Sequence, residues 1–211
     1  MTPSTSPGSP SQSFSLTKNL EPAPVTATTQ AVWSSGLEGT LRVRLAGQLH
    51  AELSVDHTRS QPLATVDAEI PHPFYFNQPR TLSGTTSLDR TDLMVHIAAM
   101  ALLPFSPRVQ ATVFGGPTWF QVKPQVIKEI GITETYPYDT VSLSTVTRDR
   151  KTVSQWGYHA GADLSYFFST YVGLQGMVRY STANASLDNN GLRSDLKLGG
   201  LHAGVGLRVR Y

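Results

Sequence analysis

From Leu196 to the chain end the sequence alternates without a break. One set reads Gly199, Leu201, Ala203, Val205, Leu207, Val209 and Tyr211; the other reads Gly200, His202, Gly204, Gly206, Arg208 and Arg210. A period of two places these sets on opposite faces of a strand. One face is apolar and ends in an aromatic, while the other is glycine, histidine and arginine. The same division recurs upstream. Trp156, Tyr158, Ala160, Ala162, Leu164, Tyr166 and Phe168 oppose Gly157, His159, Gly161, Asp163 and Ser165, and Val172 to Tyr180 repeats the pattern around Gln175 and Arg179. Leu37, Leu41, Val43 and Leu45 oppose Glu38, Arg42 and Arg44, and Leu49, Leu53 and Val55 oppose Glu52 and Asp56. Leu93, Val95, Ile97 and Leu103 oppose Asp92, Met94, His96 and Met100, and Val109 to Val113 oppose Gln110, Thr112 and Phe114. Seven antiparallel strands are predicted.

The connections differ in length. Turns near 46–48, 104–107 and 168–170 are short, 59–88 and 123–152 are long, and 188–195 is intermediate. Counted along the strands, every short turn falls at one end and every longer loop at the other. Phe105, Tyr166, Phe168 and Tyr211 mark the short-turn end, and Trp119, Trp156, Tyr158 and Tyr180 lie toward the other. Three prolines in Ile70–Arg80 predict an extended loop, and 123–152 a loop with its own hairpin. Residues 1–34, rich in Ser, Thr and Pro, are expected to be disordered, leaving 35–211 as the folded domain.

Composition narrows the surroundings. The chain is 39% hydrophobic and only 15% charged, with a net charge of +2 and no cysteine. Strands that are half apolar give such values in a membrane barrel. Bulk charge gives no support to a nucleic-acid partner. Disulfides, thiol catalysis and cysteine metal sites are excluded. No run approaches the ~20 apolar residues of a membrane helix. Residues 1–30 contain no basic stretch followed by an apolar one, as a secretory leader would. A barrel bound for an outer membrane has such a leader in its precursor. The chain is therefore expected to be truncated or mis-started, or a mature form with an added Met1. Seven strands are one short of the even number in bacterial barrels. The first strand is expected either before Ser35 or, preferably, to have been lost with the leader.

Alternation alone also fits a soluble barrel with its apolar face inward. Two features favour the opposite sense. Charges and glycines dominate one face of every strand, with aromatics at the ends of the other. The loop asymmetry is also that of outer-membrane barrels. With its Trp156–Tyr180 and Gly199–Tyr211 segments, the chain resembles small bacterial outer-membrane β-barrel proteins of the OmpA-like transmembrane-domain type. The resemblance spans roughly residues 35–211. It implies an all-β, antiparallel up-and-down transmembrane barrel of about eight strands, with short periplasmic turns and longer external loops. It also implies outer-membrane lipid as surroundings and insertion by the barrel-insertion machinery. The terminal signal usually ends in Phe, and Tyr211 stands in its place.

The inward set is Glu38, Arg42, Arg44, Glu52, Asp56, Asp92, His96, His159, Asp163, Arg179, His202, Arg208 and Arg210. In a barrel of eight strands side chains about fill the lumen. A polar, charged network that plugs it is therefore expected, with an ion or small-solute path as the alternative. Another is a lipid-modifying enzyme at the rim, but His159 and Ser165 would lie about 20 Å apart along one strand at ~3.3 Å per residue. No catalytic residue, cofactor or metal site is assigned. His57 and His72 lack ligand spacing, and Gly115-Gly116-Pro117 has no following Lys or helix and marks a bend near the rim. Pro71–Phe76 places three aromatics on a loop, either packed over the mouth or offered to a surface ligand that the sequence does not name.

Overall fold

The computed structural model describes residues 4–5, 11–30, 32–189 and 192–210. Among the described residues thirteen strands follow one another: β1 (Ser4–Thr5), β2 (Ser11–Lys18), β3 (Glu21–Thr29), β4 (Trp33–Ala46), β5 (Leu49–Ser60), β6 (Leu63–Pro71), β7 (Pro79–Ser87), β8 (Arg90–Pro104), β9 (Val109–Thr135), β10 (Thr140–Arg150), β11 (Val153–Phe167), β12 (Val172–Asn189) and β13 (Leu192–Val209). They form two sheets, and every pairing is antiparallel. No helix of the described residues is long and apolar enough to cross a membrane, which leaves crossing by strands untouched.

The larger sheet runs β10-β9-β11-β12-β13-β1-β4-β5-β8, and β8 also pairs with β9, so the sheet curls round on itself. Its alternating strands are long because nothing in them breaks the period. Arg42↔Glu52, Ala51↔Ala99 and Gly161↔Arg179 are typical register pairs. Pro104, Ser106 and Pro107 reverse the chain around 105–108, and Ser169 Oγ accepts from the N–H groups of Tyr171 and Val172 at the next short turn. Among the described residues β1, two residues long, lies between β13 and β4, so part of the first strand's place before Ser35 is filled by this chain.

The smaller sheet runs β2-β3-β6-β7. Its inner face packs on the distal half of β9 and on β10. Val25, Val66, Ile70, Leu82, Ile127 and Ile130 are all buried in this sandwich, with Leu143 and Val146 against them. Burying each such side chain contributes roughly 1.5–3 kcal/mol. Arg148 donates to Thr86 Oγ1 at 2.8 Å, and Arg80 pairs with Glu134, tying the two layers together.

Two sequence expectations differ here. The segment expected to be disordered holds β2 and β3, because Ala23, Val25 and Ala27 alternate with exposed residues and find a core. The loop expected over 59–88 is the β6–β7 hairpin. Its prolines sit at its limits: Pro71 pairs with Pro79 at the strand ends, and Pro73 lies in the turn. Pro22 and Pro24 lie where β3 pairs with β2 alone, since its ladder to β6 begins at Val25. There the missing N–H costs no ladder bond on the open side. The hairpin expected within 123–152 is the distal β9 with β10.

Candidate functional site: the charged interior

Burial in the curled sheet follows the sequence parity. Glu52, Ser54, Asp56 and Thr58 of β5 are buried, while Leu53 and Val55 between them are 46% and 42% exposed. His159, Asp163, Ser165, Arg179, Ser181 and His202 are buried as well. Leu41, Ile97, Val113, Leu164, Leu174 and Val178 face outward and are exposed. Polar groups therefore occupy the inside and hydrocarbon the outside. Trp156 and Tyr166 bound the exposed stretch on β11. Their ten-residue separation is ~33 Å along the strand, or about 25 Å in height at a tilt of ~40°.

The interior is layered. At the short-turn end Phe167 is buried beneath the guanidinium of Arg210, 4.2 Å from its ring centroid. Above it Arg42 lies at the centre of an ionic cluster, with Nε 2.7 Å from Glu52 Oε2 and Nη2 2.8 Å from Asp163 Oδ2. Arg208 donates to Ser165 Oγ at 2.9 Å, with Asp163 Oδ1 3.7 Å away. Next comes Arg179, 1% exposed, its Nη2 2.6 Å from Glu38 Oε1 and 3.6 Å from Glu52 Oε1. Three arginines and the carboxylates of Glu38, Glu52 and Asp163 thus bridge β4, β5, β11, β12 and β13. Each charge is in reach of an opposite one, which such burial requires.

A layer of imidazoles and hydroxyls lies above. Thr118 Oγ1 is 2.8 Å from His96 Nδ1 and 2.8 Å from His159 Nδ1, and the two imidazoles meet edge to face with centroids 4.8 Å apart. A single hydroxyl proton serves one of these contacts, so with neutral rings the other Nδ1 must carry the hydrogen. The pair then holds two different tautomers. His202 Nε2 lies 3.2 Å from Ser181 Oγ, and its Nδ1 is 3.9 Å from Asp56 Oδ2. Met94, Phe120, Val122, Ala183, Ala185 and Leu198 close the interior beneath the sandwich. Glycines opposite the rings make space: a Cβ on Gly161 would sit 2.7 Å from Phe114 Cζ, and one on Gly157 2.9 Å from Phe120 Cε2.

The expected inward set is therefore only partly assembled into one network. Glu38, Arg42, Glu52, Asp163, Arg179 and Arg208 are joined. His96 and His159 join through Thr118, while Asp56 and His202 stand together. Arg44 donates to the Gly47 carbonyl and Arg210 to that of Thr170, both at the short-turn rim. Asp92 binds Arg90 through two Nε contacts of 2.9 and 3.0 Å, apart from the cluster. Tyr211, the expected insertion signal, lies outside the described residues. Ser54, Ser165 and Ser181 share the inward parity but stand outside the expected charged set, and they are partners in it. Thr118 is a partner that the expected set lacks; parity reaches it, because Thr118 and Phe120 continue the inward count from Phe114.

Gly115-Gly116-Pro117 lies in mid-strand, not at the rim. The β8–β9 register is unchanged across it but skips from His96↔Thr118 to Ala99↔Gly115. Pro117 has no N–H to give, and a Cβ on Gly116 would meet the Ile97 carbonyl oxygen at 2.0 Å. Glycine permits the approach that proline leaves unbonded.

The interior contacts are ion pairs and imidazole–hydroxyl hydrogen bonds. His159 and Ser165 are in different layers with different partners. Ser181, His202 and Asp56 stand in the order hydroxyl, imidazole, carboxylate, but 3.9 Å between His202 and Asp56 exceeds a hydrogen bond. All three are buried. His57 is exposed on β5, whereas His72 is buried at the β6–β7 turn, where its Nδ1 accepts from the N–H groups of Phe74 and Tyr75.

A second feature crowns the sandwich. Phe74, Tyr75 and Phe76 are exposed at the β6–β7 turn, and Tyr136 at the β9–β10 turn. Phe74 meets Tyr138 edge-on at 5.5 Å, and Tyr138 meets Tyr136 at 6.0 Å. Arg80, buried below, donates to the carbonyls of Tyr138 and Pro71 at 2.7 and 2.9 Å, which holds both turns together. Neither a protein-family model nor a curated protein sequence matches this chain.

Proposed function

We propose that the curled sheet is a bacterial outer-membrane β-barrel of eight strand positions, with a lumen plugged by its ionic network and a structural or surface-interaction role. The carrying observation is the inverted burial: Arg179, Glu52 and Asp163 inside, and Leu53, Ile97, Leu164 and Leu174 outside. In water such a surface has no counterpart to bury it, whereas in lipid it is matched by its solvent. The resemblance to OmpA-like transmembrane domains agrees with the short turns at one end, and it brings outer-membrane lipid and the barrel-insertion machinery as partners. The sandwich then stands on the external side with its aromatic turns outermost. Rings held by Arg80 lose little freedom on contact, which favours a surface-interaction role. The paired charges and the apolar layer above them favour a closed lumen over a pore.

Folding into detergent micelles followed by gel electrophoresis tests the barrel. The unheated chain should migrate differently from the boiled one, and identical migration after a full refolding screen rejects the reading. Planar-bilayer recordings should show no steady conductance.

A further inference from the structure

Three hairpin turns meet at the far end of the sandwich. β6 continues away from the curled sheet over nine residues, ~30 Å at ~3.3 Å each. β3 runs antiparallel to β6, so the β2–β3 turn stands beside the β6–β7 turn, and there Asn19 Nδ2 donates to the Pro71 carbonyl at 3.1 Å. Arg80 joins the β9–β10 turn to them. The outermost side chains are Leu20, Phe74, Tyr75, Phe76 and Tyr136, with Leu20 92% and Tyr136 82% exposed. Asn19 and Leu20 have φ values of 52° and 67°, the left-handed pair that a two-residue hairpin turn normally gives to Asn-Gly. A leucine in that place serves neither the turn nor solubility in water.

We infer that this tip docks on the surface of an apposed zwitterionic phospholipid bilayer, an inference that rests on the external, surface-interaction role proposed above. Three observations select lipid. The apolar side chains project from turns, so a bilayer receives them without a shaped pocket, and tyrosine keeps its hydroxyl at the headgroups while its ring is buried. The main chain of the turns is also ready to lose water. The N–H groups of Phe74 and Tyr75 donate to His72 Nδ1, that of Tyr138 donates to the Thr135 carbonyl at 2.7 Å, and the Pro71 and Tyr138 carbonyls accept from Arg80. Pro73 and Pro137 have no N–H to satisfy. Charge then selects the headgroup. None of residues 19–20, 73–78 and 136–138 is charged, Lys18 stands opposite Glu21, and Arg80 pairs with Glu134. Anionic lipid is drawn by clusters of Lys and Arg, and these turns hold none. The bilayer is a second one, because the turns lie at the end of the sandwich remote from the curled sheet.

The test inserts the full chain into lipid nanodiscs, adds phosphatidylcholine vesicles and separates them by flotation. The chain should float with the vesicles, and Phe74→Ser with Phe76→Ser should weaken the association at least about tenfold. Exchanging about a third of the vesicle lipid for phosphatidylglycerol should change it by less than about twofold. A polarity-sensitive fluorophore locates the contact. The chain has no cysteine, so Gln78→Cys at the tip and Thr85→Cys on the side of the sandwich, both exposed, are labelled singly. Vesicles should brighten the label at position 78 and leave the one at position 85 unchanged. The inference is overturned if the inserted chain does not float, if the double serine variant floats equally well, or if the two labels respond alike. Binding to cells without binding to vesicles assigns the tip to a protein or glycan and overturns it too. A strong gain with phosphatidylglycerol overturns the choice of headgroup. Heat-modifiable migration is scored first: a chain that forms no barrel rejects the barrel reading and this inference together, whereas a barrel whose tip ignores lipid rejects the inference alone.

Discussion

The sandwich and the curled sheet are written in the same alphabet and read in opposite senses. In β6 the buried residues are Ala64, Val66, Ala68 and Ile70; in β5 they are Glu52, Ser54, Asp56 and Thr58. Both are strands of period two, continuous along the chain, separated only by Gln61 and Pro62. Alternation thus states that a strand has two environments, not which one is inside. The sandwich is held by hydrocarbon removed from water. The curled sheet gains nothing that way if lipid surrounds it, and is held by ladder bonds, ion pairs and ring packing. The two regions should therefore fail differently.

The largest effect is expected at Arg179. Arg179→Met leaves Glu38 and Glu52 facing the interior without their shared guanidinium, a loss of about 3–5 kcal/mol. Urea unfolding in micelles, followed by tryptophan fluorescence, measures it. Adding Glu38→Gln should restore much of the loss, because Glu38 is the charge left without its partner while Glu52 keeps Arg42. If the double variant is no more stable than the single one, the layer is not held by charge pairing.

Next is the sense of the outward face. Leu164→Arg, midway along the exposed belt of β11, should cost about 2–4 kcal/mol in lipid. On a surface facing water the same change falls within about 0.5 kcal/mol. Refolding yield into lipid vesicles against urea concentration separates the two outcomes. Val66→Asp in the sandwich supplies the mirror image, damaging the upper layer whatever surrounds the lower one.

Much of the curled sheet was legible because parity is local. His96, His159, Arg179 and His202 announce their face within a few residues on their own strands. The pairing of charges was not legible, since Arg179 and Glu38 are 141 positions apart and meet only through β13, β1 and β4. The sandwich was missed for another reason. β2 and β3 contain Ala, Val, Thr, Ser and Pro, a composition that offers little burial per residue and so predicts disorder. What ordered them is a long-range partner: Val25 pairs with Ala68, and Ile127 of β9 packs into the same core. No window along the chain contains that information. Thr118 was hidden by the Gly-Gly-Pro run before it, which looks like a break in the strand and is not one.

Glycine gives a smaller, sharper contrast. Gly161→Ala drives a methyl against the Val178 carbonyl oxygen and the Phe114 ring and should cost about 1–3 kcal/mol. Gly39→Ala, with open space around its Cβ, should stay within about 0.5 kcal/mol. Equal effects at the two positions would mean that β11 is not packed against β12 and Phe114 as described.

The smallest effect on stability, and the one that most directly addresses the surface role, belongs to the aromatic turns. Phe74 and Phe76 are 69% and 74% exposed, so Phe74→Ser with Phe76→Ser removes little buried area and should change unfolding by less than about 0.5 kcal/mol. Arg80 is different: Arg80→Met frees the Tyr138 and Pro71 carbonyls and Glu134, and both turns should loosen, which faster hydrogen exchange at Phe74, Tyr75 and Tyr138 would record. Binding of folded chain to intact bacterial or host cell surfaces then tells rings from scaffold. If the aromatic turns make the contact, the double serine variant loses it at unchanged stability, and Arg80→Met weakens it by freeing the rings. If binding survives both variants, the sandwich contacts its partner elsewhere or none at all. The upper layer would then serve as a cap, its apolar core present to close the far end of the ionic interior.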